Sequence, residues 1–422
     1  MAGHPTNAAK EAERVIFTKE MKQTHTILVP TMLPVHFKLL IKIFETYGYK
    51  VELLENKGKP VRDKGLKYVH NDTCYPAQLV IGQMIDALES GKYDRNKVAL
   101  LITQTGGGCR ASNYIHLLRK AMKKAGYGDI PVISFNVAGL EKNPGFQVSL
   151  PMIMQLLHAV LYGDLFMLIG NQCRPYELHP GDTDKLIDTW VQKLCRQLSH
   201  GRHTKKMVQE NYRAILNDFA AIPRSKEKKV RVGIVGEIFV KFSPLGNNDL
   251  EQFLLSEGAE PVMPGLMDFL LMKLYDKVVE FKMYRLHPAK AAGAKIIYDV
   301  MLQRQKEYIE AIKSHGVFNA PTPFERIKAM RHGLISVGVK MGEGWLLPAE
   351  MLELVESGVK NIVCAQPFGC LPNHIVGKGM MKPIKEMHPD VNIVAIDYDM
   401  GATAINQENR IKLMLANARG RL

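Results

Sequence analysis

The order of apolar and polar residues predicts short buried strands separated by amphipathic helices in the first third of the chain. Apolar runs at 26–30 and 50–54 enclose a stretch with helical spacing, which together form a βαβ unit. The predicted strands are 26–30, 50–54, 66–70, 97–103 and 132–135, and the predicted helices are 34–47, 76–90 and 112–125. A polar leader at 1–25 is thus followed by a parallel α/β domain at 26–150.

The pattern then becomes helical and later returns to alternating strands and helices. Periodic Leu, Met, Ile and Val predict a helical connector at 151–228, which ends in the charged linker PRSKEKK. A second α/β domain is predicted at 229–422. Its strands are predicted at 230–236, 261–263, 361–365 and 392–397, and its main helices at 249–257, 266–314, 348–358, 374–387 and 404–418. The predicted fold is therefore two Rossmann-like parallel-sheet domains with a helical connecting segment.

Composition narrows the class of protein. The 422 residues are 46% hydrophobic and 23% charged, which is typical of a globular chain of two or three domains. The N-terminal residues lack the apolar core of a signal peptide, and polar residues interrupt the longest apolar stretch, so neither secretion nor a membrane span is expected. Six scattered cysteines without a C-x-x-C pair indicate reduced thiols in a cytoplasmic protein.

The net charge of +14 raises the question of an acidic partner. Many of the cations lie between Arg196 and Arg231, where they form either a solvated helix face with a charged connector or a docking surface for an acidic protein or a CoA phosphate. No RRM, KH or zinc-finger pattern is present in the sequence, so nucleic acid is not an expected partner.

Three single cysteines follow predicted strands far apart in the sequence. Cys74, Cys109 and Cys370 lie in the loops after the strands predicted at 66–70, 97–103 and 361–365. Ligands of open parallel sheets bind beyond the carboxyl ends of the strands, so two domains folded face to face would bring three thiolates to one interdomain cleft. In the alternative, Cys370 is a nucleophile with His374 as its base. Cys173, Cys195 and Cys364 are expected to be structural.

Iron–sulfur ligation suits the three loop cysteines best. A cluster requires thiolate ligands, small residues and backbone N–H groups directed at its sulfides. Gly107 and Gly108 precede Cys109 and Arg110 follows it, so these residues are predicted to bind the cofactor, with loop capping as the alternative role of Arg110. The glycine run is also compatible with a phosphate cradle, but the Lys and Ser/Thr of a P-loop are missing. Glu237 and Lys241 follow the strand at 230–236. They are predicted either to line the cleft or to form a buried ion pair.

Several strings resemble the 2-hydroxyacyl-CoA dehydratase superfamily, above all the cluster-bearing part of its large activase-related proteins. The strings are NDTCYPAQLVIG, QTGGGCRASNYI, YGDLF with CRPYE, GEIFVKFSPLGNND, GEGWLLPAEM and QPFGCLPNHIVGKGM. The resemblance implies Rossmann-like domains around an interdomain 4Fe-4S cluster held by three cysteines, here Cys74, Cys109 and Cys370. It also implies a cytoplasmic, anaerobic electron-transfer protein that forms a homodimer or pairs with a homologous subunit.

The same resemblance implies a separate ATP-dependent activase of the actin/hexokinase-like superfamily as the electron donor, because no ATPase segment is recognisable in this chain. The expected function is therefore an iron–sulfur protein that receives low-potential electrons at a three-cysteine 4Fe-4S cluster. One alternative is a reductase or dehydratase that acts on an acyl-CoA or a small molecule at a double-cubane 8Fe-9S cluster. Another is a basic interaction module without a cluster.

Overall fold

The computed structural model describes residues 14–103, 108–135, 141, 143–199 and 204–420. The chain divides into two compact units. Unit 1 comprises the described residues of 1–31 and 44–152, and unit 2 comprises those of 32–43 and 153–422. Each unit contains one four-stranded sheet in which all neighbouring strands are parallel, so the predicted α/β class with two parallel sheets is confirmed.

The sheet of unit 1 has the order β2-β1-β3-β4. Its strands are β1 (Thr26–Pro30), β2 (Lys50–Leu54), β3 (Val98–Thr103) and β4 (Val132–Phe135). The helices in this part of the chain are α1 (Pro34–Thr46), α2 (Lys59–Tyr68), α3 (Tyr75–Glu89) and α4 (Tyr114–Lys124), with short helical turns at Met21–Thr24, Arg95–Lys97 and Arg110–Asn113. Residues 32–43, which include most of α1, group with unit 2.

The strand predicted at residues 66–70 is wrong, because this segment is the end of α2 and the turn that follows it. Val61, Gly65 and Val69 are the buried positions of the segment, and their spacing of four is helical. Gly82 of α3 explains the close packing of the two helices, since a Cβ atom there would lie 2.2 Å from the carbonyl oxygen of Val61. Cys74 therefore follows a helix, whereas Cys109 and Cys370 follow strands as predicted.

Unit 2 has the sheet order β6-β5-β7-β8. Its strands are β5 (Arg231–Gly236), β6 (Glu260–Val262), β7 (Asn361–Pro367) and β8 (Asn392–Tyr398). Three long helices precede β5: α5 (Leu150–Asn171), α6 (Asp182–Ser199) and α7 (Lys205–Ala220). The later helices are α8 (Ile238–Phe242), α9 (Pro244–Asn247), α10 (Leu250–Ser256), α11 (Leu266–Tyr284), α12 (Pro288–His315), α13 (Phe324–Met330), α14 (Leu346–Glu356), α15 (Gly379–Met387) and α16 (Ala404–Arg419). A helical turn at Leu371–Asn373 and a π-helical segment at His374–Lys378 lie between β7 and α15.

The core of unit 2 forms where β5, β7 and β8 pack against α14 and the π-helical segment. Its buried side chains include Val235, Met351, Ile362, Val376 and Ile393. Cys364 lies in the same cluster with no exposed surface, as expected for a structural cysteine.

The domain boundaries predicted at residues 25, 150 and 228 stay predictions.

Helix α5 is the one helix among the described residues with the length and hydropathy of a membrane span. Of its most apolar window, 78% is buried within the protein, which is typical of a core helix. Asp164 in its middle is buried and bonds to His36 Nε2 at 2.9 Å. The same carboxylate accepts the backbone N–H groups of Leu266 and Met267 at 2.9 Å, so it stabilises the first turn of α11.

Candidate metal centre

Cys74 is the N-cap residue of α3. Its backbone is extended, its carbonyl accepts the N–H of Ala77 at 3.0 Å, and Pro76 in the first turn favours helix initiation. The loop before it is held by Gln78, whose buried Nε2 donates to the carbonyl oxygens of Asn71 and Thr73, both at 3.0 Å. The thiol consequently has a defined position at the positive end of a fifteen-residue helix.

Cys109 is the N-cap residue of the 3₁₀ turn Arg110–Asn113. Its sulfur accepts the N–H of Ala111 at 3.5 Å, and its carbonyl accepts both the N–H and the hydroxyl of Ser112, at 3.1 and 2.8 Å. Gly108 directly precedes it, whereas Gly107, the other predicted glycine, lies outside the described residues. A backbone N–H directed at a sulfur is the kind of contact that iron–sulfur sites use.

Two contacts join the Cys74 and Cys109 loops within unit 1. Arg110 Nη1 donates to the carbonyl oxygen of Asp72, two residues before Cys74. The Tyr114 hydroxyl, at the start of α4, lies 2.9 Å from Cys74 Sγ. The two cysteine loops of unit 1 are thus neighbours, and Arg110 has a positioning role on the Cys74 loop.

Cys370 is the N-cap residue of the helical turn Leu371–Asn373 in unit 2. It is 7% exposed, and its carbonyl accepts the N–H of His374 at 3.1 Å. Gly369 before it has a φ of +73°, a left-handed conformation that favours glycine. Phe368, Leu371 and Ile375, in contrast, have more than half of their surface exposed, so a buried thiol has exposed apolar neighbours in sequence.

A buried carboxylate, Glu343, connects the segment after Cys370 to the end of β5. Its Oε2 accepts Asn373 Nδ2 at 3.1 Å, and its Oε1 accepts the N–H of Ile238 at 3.0 Å. Gln366 at the end of β7 is fully buried and donates through Nε2 to the carbonyl of Asn373 at 3.3 Å. Asn373 Oδ1 and Gln366 Oε1 are buried acceptors for which no partner is found among the described residues.

Glu237 caps α8 at the same end of β5, where its Oε2 accepts the N–H of Val240 at 2.9 Å. Burial, together with the charge of Glu343, raises the pKa of Glu237 to about 8. Burial also raises the pKa of Glu343. Two carboxyl groups in one low-dielectric region favour a protonated state for one of them, because both cannot ionise without repulsion.

Lys241 forms a buried ion pair with Glu350, not with Glu237. Its Nζ lies 3.1 Å from both oxygens of the Glu350 carboxylate. Burial raises the pKa of Glu350, while the charge of Lys241 opposes that rise. The predicted ion pair between Glu237 and Lys241 is therefore wrong, because Lys241 pairs with Glu350 of α14, which the local sequence did not indicate.

Of the remaining cysteines, Cys195 and Cys364 lie inside regular elements, and Cys173 lies in the turn after α5. Cys173 is fully buried, and burial raises its pKa to about 11 although Arg224 Nη1 lies 3.8 Å from the sulfur. Cys364 in β7 is fully buried, and burial raises its pKa to about 12. Cys195 lies within α6. All six cysteines are in the described part of the chain, and none forms a disulfide.

Among the six thiols, Cys74, Cys109 and Cys370 share one local setting, since each is the N-cap residue of a helical segment. Each precedes a helical turn, where backbone N–H groups are not used within the helix. The first two belong to unit 1 and the third to unit 2. Over the described residues, no three His, Cys, Asp or Glu side chains are arranged as a metal-binding group.

Sequence reasoning missed Glu343, Glu350 and Asn373. The strings that contain them, GEGWLLPAEM and QPFGCLPNH, contribute to the family resemblance, but a carboxylate within such a string carries no local signal of its partner. Glu343 bonds to Ile238, 105 positions earlier in the chain, so only the fold reveals the contact.

Comparison with known proteins adds no family to this description. No protein-family model matches the chain, and no curated protein matches it. The fold and the loops define a protein of two parallel α/β units with cysteines at helix N-termini in both units.

Proposed function

We propose that the chain is an iron–sulfur protein of the 2-hydroxyacyl-CoA dehydratase superfamily that receives low-potential electrons from a separate ATP-dependent activase. Cys74, Cys109 and Cys370 would hold a 4Fe-4S cluster between the two halves of the chain. One observation carries the proposal: these three cysteines are N-cap residues of helical segments, whereas Cys195 lies within a helix and Cys364 within a strand.

The residues around these thiols have defined tasks in the proposal. The bound cluster would supply one-electron chemistry at low potential. Gln78 keeps the loop before Cys74 in place through three backbone carbonyls, and Arg110 joins that loop to Cys109. Ala111 directs its N–H at the sulfur of Cys109, which favours the thiolate. Glu343 supports the Cys370 segment through Asn373.

The donor set favours the three-cysteine cluster over a double cubane. A double cubane would need about six thiolates, which is every cysteine of the chain. Cys173 and Cys364 are completely buried. Burial raises the pKa of Cys173 to about 11 and that of Cys364 to about 12, so their thiolates are costly to form. An acyl-CoA is the candidate substrate that the family resemblance suggests, and the activase is the candidate partner.

Iron analysis after anaerobic purification or reconstitution tests the proposal. The wild-type protein is expected to hold about four irons per chain, and Cys74→Ser, Cys109→Ser and Cys370→Ser are each expected to lose iron and the cluster's EPR signal. Cys195→Ser is the matched control because this thiol lies within a helix, and it should keep the full iron content. Circular dichroism of each variant shows whether the fold survives the substitution.

The outcomes separate the candidate functions. Full iron retention in any of the three loop variants contradicts that residue's assignment as a ligand. About eight irons per chain would favour the double cubane. A folded protein that takes up no iron leaves the basic interaction module as the better description.

A further inference from the structure

Helix α12 has an outer face of exposed apolar residues. The outer face comprises Ala289, Gly293, Ile296 and Val300, all of which are exposed. Ile296 has 68% of its surface exposed and Val300 has 38%. A Cβ atom added to Gly293 would meet no other atom within 4 Å, so this part of the helix borders open space.

The opposite side of α12 is the one that packs into unit 2. Ala291, Ala294, Tyr298 and Met301 are buried on that side, and α12 packs against α11. With about 3.6 residues per turn, the buried set and the outer face lie on nearly opposite sides of the helix. The outer face is therefore a second apolar surface of α12 and not the margin of the core.

The spacing of the outer face matches the packing of one helix on another. Its residues follow each other at intervals of four, three and four positions, the alternation that gives a continuous seam along a helix. Ala289 and Gly293 allow a second helix to approach closely, whereas Ile296 and Val300 supply branched side chains for contact. The face thus has the shape that an approaching helix requires.

The residue types of the outer face are unfavourable on a helix that faces only water. Ile and Val lose side-chain freedom in a helix, and Gly has a lower helix propensity than any residue except Pro. Single exposed apolar residues are ordinary on protein surfaces, but a continuous apolar stripe is typical of an interaction surface. Burial against a partner helix would explain the composition.

Basic residues lie at the N-terminal end of the same face. Lys282, Arg285 and Lys290, which form the basic tip, are exposed, and none has an acidic partner among the described residues. The stretch 281–298 contains no Asp or Glu. The first turn of α12 also lacks an acidic residue, so the positive end of its dipole adds to the charge of the tip. The charge that complements this end is negative.

The basic segment near residues 205–231 differs in this respect. Lys205 pairs with Glu307 at 2.8 Å, Lys229 with Glu227 at 2.6 Å and Arg231 with Glu260 at 3.2 Å. Three of the cations that the sequence analysis considered for docking therefore have internal partners. The basic tip, which adjoins an apolar face, is the better candidate for an acidic partner.

We infer that the outer face of α12 binds an acidic amphipathic helix of a partner protein. The apolar stripe of that helix would pack along the outer face, and its carboxylates would pair with Lys282, Arg285 and Lys290. Apolar contact supplies the helix-on-helix geometry, and the basic tip supplies the preference for acidic residues. The inference is independent of the proposed cluster.

Two other occupants fit the face less well. A second copy of this chain would bring a second basic tip, and the first acid that follows the tip in the sequence, Asp299, already pairs with Lys295 at 2.5 Å. An anionic lipid surface would gain little from Ala289 and Gly293, because these small residues offer little apolar area for insertion. Both occupants are distinguished by the experiment below.

The probe is a peptide selected from a display library of amphipathic helices about 20 residues, or roughly 30 Å, long. Leucine occupies the seam positions of the library, and all other positions are randomised. The wild-type full chain is expected to enrich peptides rich in Asp and Glu. Fluorescence anisotropy with one enriched peptide then measures the affinity of the wild type and of each variant.

Gly293→Leu tests the apolar half of the inference. The new side chain meets no neighbour and raises the helix propensity of α12, so the fold is kept while the approach of a second helix is blocked. Binding of the peptide should weaken about tenfold or more. Ala416→Leu, on an exposed position of α16, is the matched control and should bind normally. Urea unfolding of both variants verifies that they are folded.

Charge reversal tests the basic tip. Lys282→Glu/Lys290→Glu should also weaken binding about tenfold or more. Lys226→Glu/Lys228→Glu reverses two exposed lysines of the linker, changes the net charge equally and should leave binding unchanged. A proline in the middle of the peptide should abolish binding, because it breaks the helix.

Several outcomes would overturn the inference. They are enrichment of peptides without acidic residues, unchanged binding by Gly293→Leu or by Lys282→Glu/Lys290→Glu, weakened binding by the linker variant, and tolerance of the proline. Self-association in analytical ultracentrifugation that disappears in Gly293→Leu would identify a second copy as the occupant and overturn it as well. Binding to phosphatidylserine vesicles that Lys282→Glu/Lys290→Glu abolishes, without any enriched peptide, would identify a lipid surface instead.

Discussion

Replacement of Glu237 by Gln is expected to change how the stability of unit 2 depends on pH. Glu237 lies beside Glu343 at the end of β5, and burial with the charge of Glu343 raises its pKa to about 8. Gln has nearly the same shape and can still accept the N–H of Val240 that Glu237 accepts at 2.9 Å. The substitution therefore removes the titration and keeps the helix cap.

The sign follows from proton binding in the two states. Between pH 4.5 and pH 8 the folded protein keeps a proton on Glu237 that the unfolded chain releases, so the unfolding free energy falls as the pH rises. At about 1.4 kcal/mol per pH unit, the total loss is about 5 kcal/mol, of which about 4 kcal/mol falls between roughly pH 5 and pH 9. The loss ends above the folded-state pKa. Glu237→Gln, which is neutral in both states, does not undergo it.

Tryptophan fluorescence makes the measurement specific to unit 2, because the only two tryptophans of the chain, Trp190 and Trp345, are both buried there. Urea unfolding at several pH values gives the free energy for the wild type and the variant. The difference in favour of Glu237→Gln should grow by about 4 kcal/mol from pH 5 to pH 9. Glu310→Gln, which changes an exposed carboxylate, is the matched control and should follow the wild type.

Parallel pH profiles for the wild type and Glu237→Gln would refute the reasoning, since they would mean that Glu237 titrates alike in the folded and unfolded chains. A variant whose advantage grows toward low pH would also refute it, because that sign belongs to a carboxylate with a lowered pKa. Glu343→Gln is expected to change the profile in the same direction, because it removes the second carboxyl group of the pair.

Two further predictions concern the same end of the sheet. Glu350→Ala should cost about 3 to 5 kcal/mol in urea unfolding because it leaves Lys241 buried without its partner, whereas the double replacement Lys241→Met/Glu350→Leu should cost much less. Gly236→Ala should destabilise unit 2 by more than about 3 kcal/mol, since the added Cβ would lie 2.0 Å from the carbonyl oxygen of Ala365. The control Gly258→Ala is also at positive φ but faces open space, so it should cost only about 1 kcal/mol. Equal costs for the two substitutions would contradict the argument.

The alternation of strands and helices could be predicted because it depends on local periodicity. Strand β4 occupies the predicted residues 132–135, and the other predicted strands except 66–70 lie within a few residues of the observed ones. The error at 66–70 has a physical cause: a short apolar run bounded by polar residues fits a strand and a helix end alike. Contact with Gly82 of α3 decides between them, and that contact is not visible in the run itself.

The candidate site was predictable only in part. The loops of Cys109 and Cys370 follow strands, so the carboxyl-end rule located them from sequence. The contact of Tyr114 with Cys74 joins residues 40 positions apart, and no periodic pattern encodes it. The partner of Lys241 lies 109 positions away on α14, so only the fold identifies Glu350 as that partner.

Glu343 shows how such long-range contacts organise the end of the second sheet. It accepts the N–H of Ile238 with one oxygen and the amide of Asn373 with the other, so a single carboxylate holds the start of α8 and the segment after Cys370. A protonated Glu237 lowers the repulsion that this carboxylate experiences, because one of the two buried groups is then neutral. The conformation of the Cys370 segment and the protonation of the Glu237–Glu343 pair are therefore energetically linked within unit 2.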